Sequence, residues 1–240
     1  LIRMSSSIKS AVIITTDKCY ENKNLSRGYK EEDPMGGHDP YSSSKGSAEL
    51  IISSYQRSFF NKDQYRKGSA SVASVRAGNV IGGGDWAEDR LIPDLLRSAE
   101  TKRKTKVRNP NATRPWQHVL EPLSGYLIVA ERLYKEGPSG SDCWNFGPKQ
   151  QDIVKVSQVA DMFCKAWGEN LSWNEDDKPI YHEAHNLSLD ITKARETLSW
   201  IPKWSLFKAI NKVVEWHKAQ LTGRDVYDES LKQIKEFLRE

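Results

Sequence analysis

Short β-branched runs alternate with stretches of helical period along this chain. Ala11 to Thr15 is a β-branched run behind a polar segment; it ends in Thr-Asp-Lys and predicts a short buried strand entering a loop. Residues 21–40, rich in Asn, Glu, Gly and Pro, form a loop that Asp39-Pro40 closes before a helix opens. Tyr41, Lys45, Ala48, Ile52, Tyr55 and Phe59 recur in steps of four and three, which places them on one helical stripe. Ser71 to Arg76 reads as a second buried strand, followed by a glycine-rich loop over 77–85. Residues 90–101 predict a helix and 102–119 an extended basic chain. Glu121-Pro122 opens a further helix, with Leu123, Tyr126, Leu127, Ala130 and Leu133 on its apolar side and Gly137-Pro138 as its stop. Cys143 to Phe146 predicts a third strand. Amphipathic helices follow around Val156 to Trp167 and Leu206 to His217, and residues 227–240 read as a charged tail helix.

Strands alternating with helices argue an α/β fold with a parallel sheet. A length of 240 residues suits one or two domains. The longest apolar runs, Val12 to Ile14 and Leu127 to Ala130, are far short of the roughly 20 residues of a membrane span. Three cysteines without a C-x-x-C spacing predict neither a disulfide framework nor a zinc ribbon, and point to a reducing, cytoplasmic setting. The net charge of +4 is too small for an obligate nucleic-acid binder. Its excess is local: Lys102 to Arg114 contains no acid, but it also lacks the interleaved aromatics of a nucleic-acid surface, and Lys102 to Lys106 reads as a solvated loop. His182-Glu-Ala-His185 has its histidines three apart rather than four, so no metal is expected there. The tryptophans Trp144, Trp167, Trp200 and Trp204 read as packing residues.

Tyr41 and Lys45 set a phenol and an ammonium one helical turn apart, and a neighbouring cation favours the phenolate. Chance alone yields about one such spacing in a chain with this many tyrosines and lysines, so context has to supply the specificity. Thr15-Thr16-Asp17-Lys18 supplies it. That run lies at the carboxyl end of a predicted buried strand, where open α/β sheets bind ligands.

With Cys19-Tyr20 after that run, Arg76-Ala-Gly-Asn-Val-Ile-Gly-Gly-Gly-Asp-Trp86, Arg114-Pro-Trp-Gln-His-Val119, Trp144-Asn-Phe-Gly147 and Leu198-Ser-Trp-Ile-Pro202, the chain resembles the extended short-chain dehydrogenase/reductase family. Within it, the likeness is to the sugar-nucleotide 4,6-dehydratases acting on CDP-glucose, over roughly residues 10 to 220. The resemblance implies bound NAD, with Thr15, Tyr41 and Lys45 on the cofactor side. Tyr41 is then the base for the C4 hydroxyl and Thr16 its hydrogen-bond partner, Asp17 the acid for the departing C6 hydroxyl, and Lys18 the candidate base at C5. On the substrate side it implies Asn79, Arg90, Arg108 and Arg114 near the nucleotide, Trp116 and His118 shaping that wall, and His185 or Glu183 reaching the same ligand.

The fold implied is a partial Rossmann-like sheet over 1–81 and 121–147, a smaller substrate domain over 82–120 and 148–221, and a tail helix over 222–240. A homodimer is implied through the Tyr41 helix. No G-x-G-x-x-G turn precedes Thr16 and the chain opens on Leu1, so the expectation is a piece that lacks the family's first third, exposes a sheet edge and is inactive alone. Two rivals stand beside this reading. An epimerase of the same fold needs no elimination acid beside the threonine; a non-catalytic nucleotide-sugar-binding fragment needs no cofactor.

Overall fold

Hydrophobic runs and helical periods become the following elements in chain order: β1 (Ser10–Ile14), α1 (Pro40–Phe59), α2 (Lys62–Arg66), β2 (Ser71–Ala77), β3 (Asn79–Ile81), α3 (Leu91–Glu100), β4 (Thr105–Val107), β5 (Thr113–His118), α4 (Leu120–Glu136), β6 (Cys143–Phe146), β7 (Ile153–Lys155), α5 (Val156–Trp167), β8 (Trp173–Glu175), α6 (Thr192–Leu198), α7 (Leu206–Leu221) and α8 (Val226–Leu238). The computed structural model describes residues 1–176 and 186–240. Two compact units divide the chain. The first comprises residues 1–78, 122–147 and 187–201, and the second 79–121, 148–186 and 202–240.

In the first unit the strands form a parallel sheet in the order β1-β2-β6, with Ser10 opposite Ser71 and Val75 opposite Trp144. β2 is buried at every position, which is why its sequence is a continuous run of small and β-branched residues rather than an alternation. β1 lies at a sheet edge, where Ile14 is exposed. The core joins Val75, Val129, Leu133, Trp144, Phe146 and Trp200. Gly125 on α4 admits the Phe146 ring, because a Cβ there would lie 2.2 Å from Cε1 of that ring.

The second unit has a sheet in the order β3-β5-β7, parallel then antiparallel, and a two-stranded parallel pair of β4 and β8. Its core gathers Ile92, Leu95, Leu96, Phe163, Trp167, Ile210 and Val213. Glu121, 1% exposed, accepts from the amides of Lys203 and Trp204 at 3.0 and 2.7 Å, which satisfies the backbone leading into α7.

Several expectations shift. The loop over 77–85 contains β3, and the extended basic stretch contains β4 and β5, because alternate residues such as Thr105 and Val107 turn inward while Lys106 faces out. Residues 187–201 pack with the first unit rather than with 148–221, since Leu187 and Leu189 join Cys19, Tyr20 and Tyr29 in a small core. The tail helix belongs to the second unit: Phe237 meets Trp204 edge-on at 5.2 Å, and the Gln233 amide donates to the carbonyl of Lys212 at 2.9 Å. On α1 the inward face is Ser42, Gly46, Glu49 and Ile52, so the stripe expected from Tyr41 to Phe59 straddles the boundary with solvent. No helix among the described residues is long and apolar enough to cross a membrane.

Candidate active site

β1 ends at Ile14, and the chain bonds once more to the sheet, from the Thr15 amide to the carbonyl of Val75 at 2.8 Å, before turning away. A 3-10 turn follows over Asp17–Cys19, with Thr16 as its N-cap. The Thr16 hydroxyl accepts from the Lys18 amide at 3.3 Å and donates to Oδ1 of Asp17 at 3.0 Å. Asp17 is 3% exposed; Thr16 and Lys18 are half-buried. Hydroxyl, acid and amine are thus presented in one turn at the carboxyl end of a parallel strand.

α1 packs against that turn. It starts where Pro40 needs no amide partner and Asp39 caps the first turn, accepting from the Ser42 amide at 2.9 Å and hydroxyl at 2.6 Å. Those two bonds, with the charge of Lys18 adding to them, hold the Asp39 carboxyl below the ordinary carboxylate range. Close approach depends on Gly46. A Cβ there would lie 3.1 Å from the Gly36 amide nitrogen and 3.2 Å from the Cys19 carbonyl oxygen. Tyr41, more than half exposed, and Lys45, half-buried, share one side of the helix, with Nζ 5.2 Å from the phenol ring centroid. The expected set Thr16, Asp17, Lys18, Tyr41 and Lys45 therefore lies on one turn and on the helix packed against it. Thr15 turns elsewhere: its hydroxyl donates to Glu49 on α1.

Residues 2–145 match the model of the NAD dependent epimerase/dehydratase family. The chain belongs to that family. Among its relatives, the CDP-glucose 4,6-dehydratase of Salmonella typhimurium is 50% identical over 99% of this chain and 66% of that protein. The dTDP-D-glucose 4,6-dehydratase of Bos taurus is 24% identical over 88% of this chain and 56% of that protein. The chain thus spans two thirds or less of these relatives' lengths. A solved dTDP-glucose 4,6-dehydratase from Bacillus anthracis in complex with NAD superposes with a TM-score of 0.68 at 21% identity, covering 86% of this chain and 61% of that one. A UDP-glucuronic acid 4-epimerase from Bacillus cereus does so at 0.74 and 19%, covering 90% and 64%. The Rossmann-type α/β fold expected from the sequence is the fold of these dehydratases and epimerases.

In this family member the remaining expected residues belong to the second unit. Asn79 is half-buried on β3, opposite Trp116 on β5. Arg90 and Arg108 are exposed and pair with Asp85 and Asp89 at 3.5 and 3.3 Å. Arg114 is buried, with Nη1 donating to the carbonyl of Thr113 at 2.9 Å. Trp116 and His118, expected to help shape the wall of the nucleotide site, are both buried. Neither forms an exposed wall: Trp116 belongs to the core, and His118 is 2% exposed against the Trp204 ring at 4.8 Å, because inward positions of β5 face the helices that cover it. Burial, with the Lys212 charge adding to it, pushes the His118 imidazole down to about 4. His185 and Glu183 lie outside the described residues, as does the rest of the His182 motif.

Sequence reasoning missed the polar interior of the first unit. Glu49 and Arg76 form an ion pair at 2.8 Å with both side chains about 4% exposed or less. The available signal was the continuation of the four-residue spacing from Tyr41 and Lys45 to Glu49. An exposed carboxylate has the same spacing.

Proposed function

We propose that the chain supplies the catalytic groups of an NAD-dependent 4,6-dehydratase acting on a nucleotide-activated hexose, with CDP-glucose as the substrate. One observation carries the choice over an epimerase: a buried acid, Asp17, held by the Thr16 hydroxyl in the turn on which the Tyr41 helix packs. Tyr41, Lys45 and Thr16 offer a phenol, an ammonium and a hydroxyl at the strand end, a donor set that fits a nicotinamide ribose and a sugar hydroxyl. A nicotinamide dinucleotide held there would supply a reversible hydride store for oxidation at C4 and reduction at C6. Tyr41 takes the C4 hydroxyl proton, while Thr16 hydrogen-bonds the same oxygen. Lys45, beside the Tyr41 ring, anchors the ribose. Asp17 is the acid that gives a proton to the leaving C6 hydroxyl, and Lys18 is the base that removes the C5 proton acidified by the adjacent ketone and returns it to C5 when C6 is reduced. Asn79, Arg90, Arg108 and Arg114 are the candidates for the nucleotide and its diphosphate.

The 50% identity to the Salmonella protein supports cytidine over other bases. The test is to supply CDP-glucose and NAD to the chain, alone and joined to the part of the Salmonella protein that it does not span. The ultraviolet absorbance of a 4-keto sugar in alkali is the expected product signal. A folded chimera that binds CDP-glucose and yields none overturns the proposal. Exposed Leu50 and Ile51 on α1 support a homodimer through that helix. Sedimentation of a dimer that Leu50→Glu converts to monomer is the expected result.

A further inference from the structure

Glu49 stands one helical turn beyond Lys45 and two beyond Tyr41, so the three follow one row of α1. Glu49 is the inward member, 4% exposed. Its carboxylate takes donors from the ends of two strands. The Thr15 hydroxyl donates to Oε1, Ser74 Oγ donates to Oε2 at 2.9 Å, and Arg76 Nη2 donates to Oε2 at 2.8 Å. Burial by itself pushes the Glu49 carboxyl up, but Arg76 and the two hydroxyls outweigh it and leave the group below its ordinary value. Arg76 extends the chain of bonds: Nη1 donates to the Tyr20 hydroxyl at 2.7 Å and to the Glu31 carbonyl at 3.1 Å. Tyr20 in turn donates to Oδ1 of Asn145 on β6 at 2.7 Å.

The consequence is geometric. The segment carrying Thr16, Asp17 and Lys18 is tied down on both flanks, at Thr15 by Glu49 and at Tyr20 by Arg76. The helix carrying Tyr41 and Lys45 is tied through Glu49 to Thr15 directly and to Tyr20 by way of Arg76. We propose that the Glu49–Arg76 pair is a positioning device that sets the rotation of α1 about its axis and so aims Tyr41 and Lys45 at the Thr16-Asp17-Lys18 turn. Stability alone does not require such a pair, because replacing a buried ion pair by well-packed apolar residues of similar volume is often without cost, whereas removing one partner strands a charge.

This inference rests on the dehydratase reading only where it is read by turnover. Three measurements test it on the double variant Glu49→Leu with Arg76→Met, whose apolar side chains leave no buried charge. They are thermal melting, the resonances of the Tyr41 ring assigned by their loss in Tyr41→Phe, and the kinetics of 4-keto sugar formation. The double variant is expected to melt within about 4 °C of the unaltered chain. Its Tyr41 ring resonances are expected to shift or broaden. Its kcat is expected to fall about 10- to 100-fold with KM changed less than about threefold, the pattern of misaimed rather than missing groups. A double variant that melts normally and keeps both the Tyr41 resonances and kcat overturns the proposal. Turnover is read in the chimera with the Salmonella segment; should that chimera, without the substitutions, bind CDP-glucose and form no 4-keto sugar, the dehydratase reading fails instead, and the resonances still decide whether the pair aims the helix.

Discussion

Thr16 donates to Asp17 while accepting from the amide of Lys18, so three consecutive residues are locked into one presentation of hydroxyl, acid and amine. Under the dehydratase proposal, Asp17→Asn keeps the shape and loses the transferable proton. C4 oxidation is expected to persist while loss of water stops, so reduced nicotinamide accumulates after mixing with CDP-glucose; an unchanged dehydration rate refutes the acid role. His118 makes a prediction about stability. Its imidazole is pushed down to about 4 in the fold by burial first and the Lys212 charge second, against about 6.5 in an unfolded chain. The unfolded chain therefore binds the proton first as pH falls. The stability is fully present above about pH 6.5 and is lost toward pH 4, with a loss of about 2 kcal/mol at pH 5. His217, pushed down to about 4 by burial against a small opposing effect of Asp85, acts in the same direction. Denaturant melts at pH 7 and pH 5 check this: His118→Gln is expected to reduce the pH dependence, and an equal slope in both proteins contradicts it.

At the scale of elements, glycines decide how closely backbones approach. Gly46 brings α1 onto the Asp17 turn, and Gly125 brings α4 onto Phe146. Gly125→Ala tests which physical effect wins. Alanine gains about 1 kcal/mol in helix propensity. Its Cβ, however, would sit 2.2 and 2.5 Å from two atoms of the Phe146 ring, which Trp200 also packs against at 4.9 Å. Overpacking of that kind costs about 1–3 kcal/mol, so a net loss of up to about 2 kcal/mol is expected by chemical denaturation, and a stabilised variant would contradict the packing. α1 shows the converse. Its buried face is small and polar because Ser42, Gly46 and Glu49 meet a capping aspartate, a backbone and an arginine, while Leu50 and Ile51 face out.

On the scale of the whole molecule, two separate hydrophobic cores underlie the two units. The carboxyl-terminal helix belongs to the second of them through Phe237 against Trp204, Trp216 Nε1 donating to Ser230 at 2.9 Å, and the Lys203 ammonium donating to the Phe237 carbonyl at 3.0 Å. Removing residues 223–240 is expected to speed amide hydrogen exchange in α7 and β5 while leaving β1 and β2 protected. Uniform loss of protection in both units would contradict the assignment of that helix to the second core.

Local pattern was enough for much of this protein. The strands at 11–15 and 71–76, the capped helix after Asp39-Pro40, and the Tyr41-Lys45 spacing behind Thr16-Asp17 follow from periodicity, capping chemistry and the strand-end rule, all of which act over a few residues, although only the second strand is buried throughout and β1, at the sheet edge, leaves Ile14 exposed. Tertiary structure decided the rest. Glu49 looks like a solvated helix carboxylate until Arg76, 27 residues away, meets it in the interior. Nothing local marks Trp116 and His118 as buried until helices close over β5, and residues 226–238 look like a tail until Trp204 offers Phe237 a partner. Whether a polar side chain faces water or the core depends on what distant segments bring to its other side, and no window of neighbouring residues contains that information.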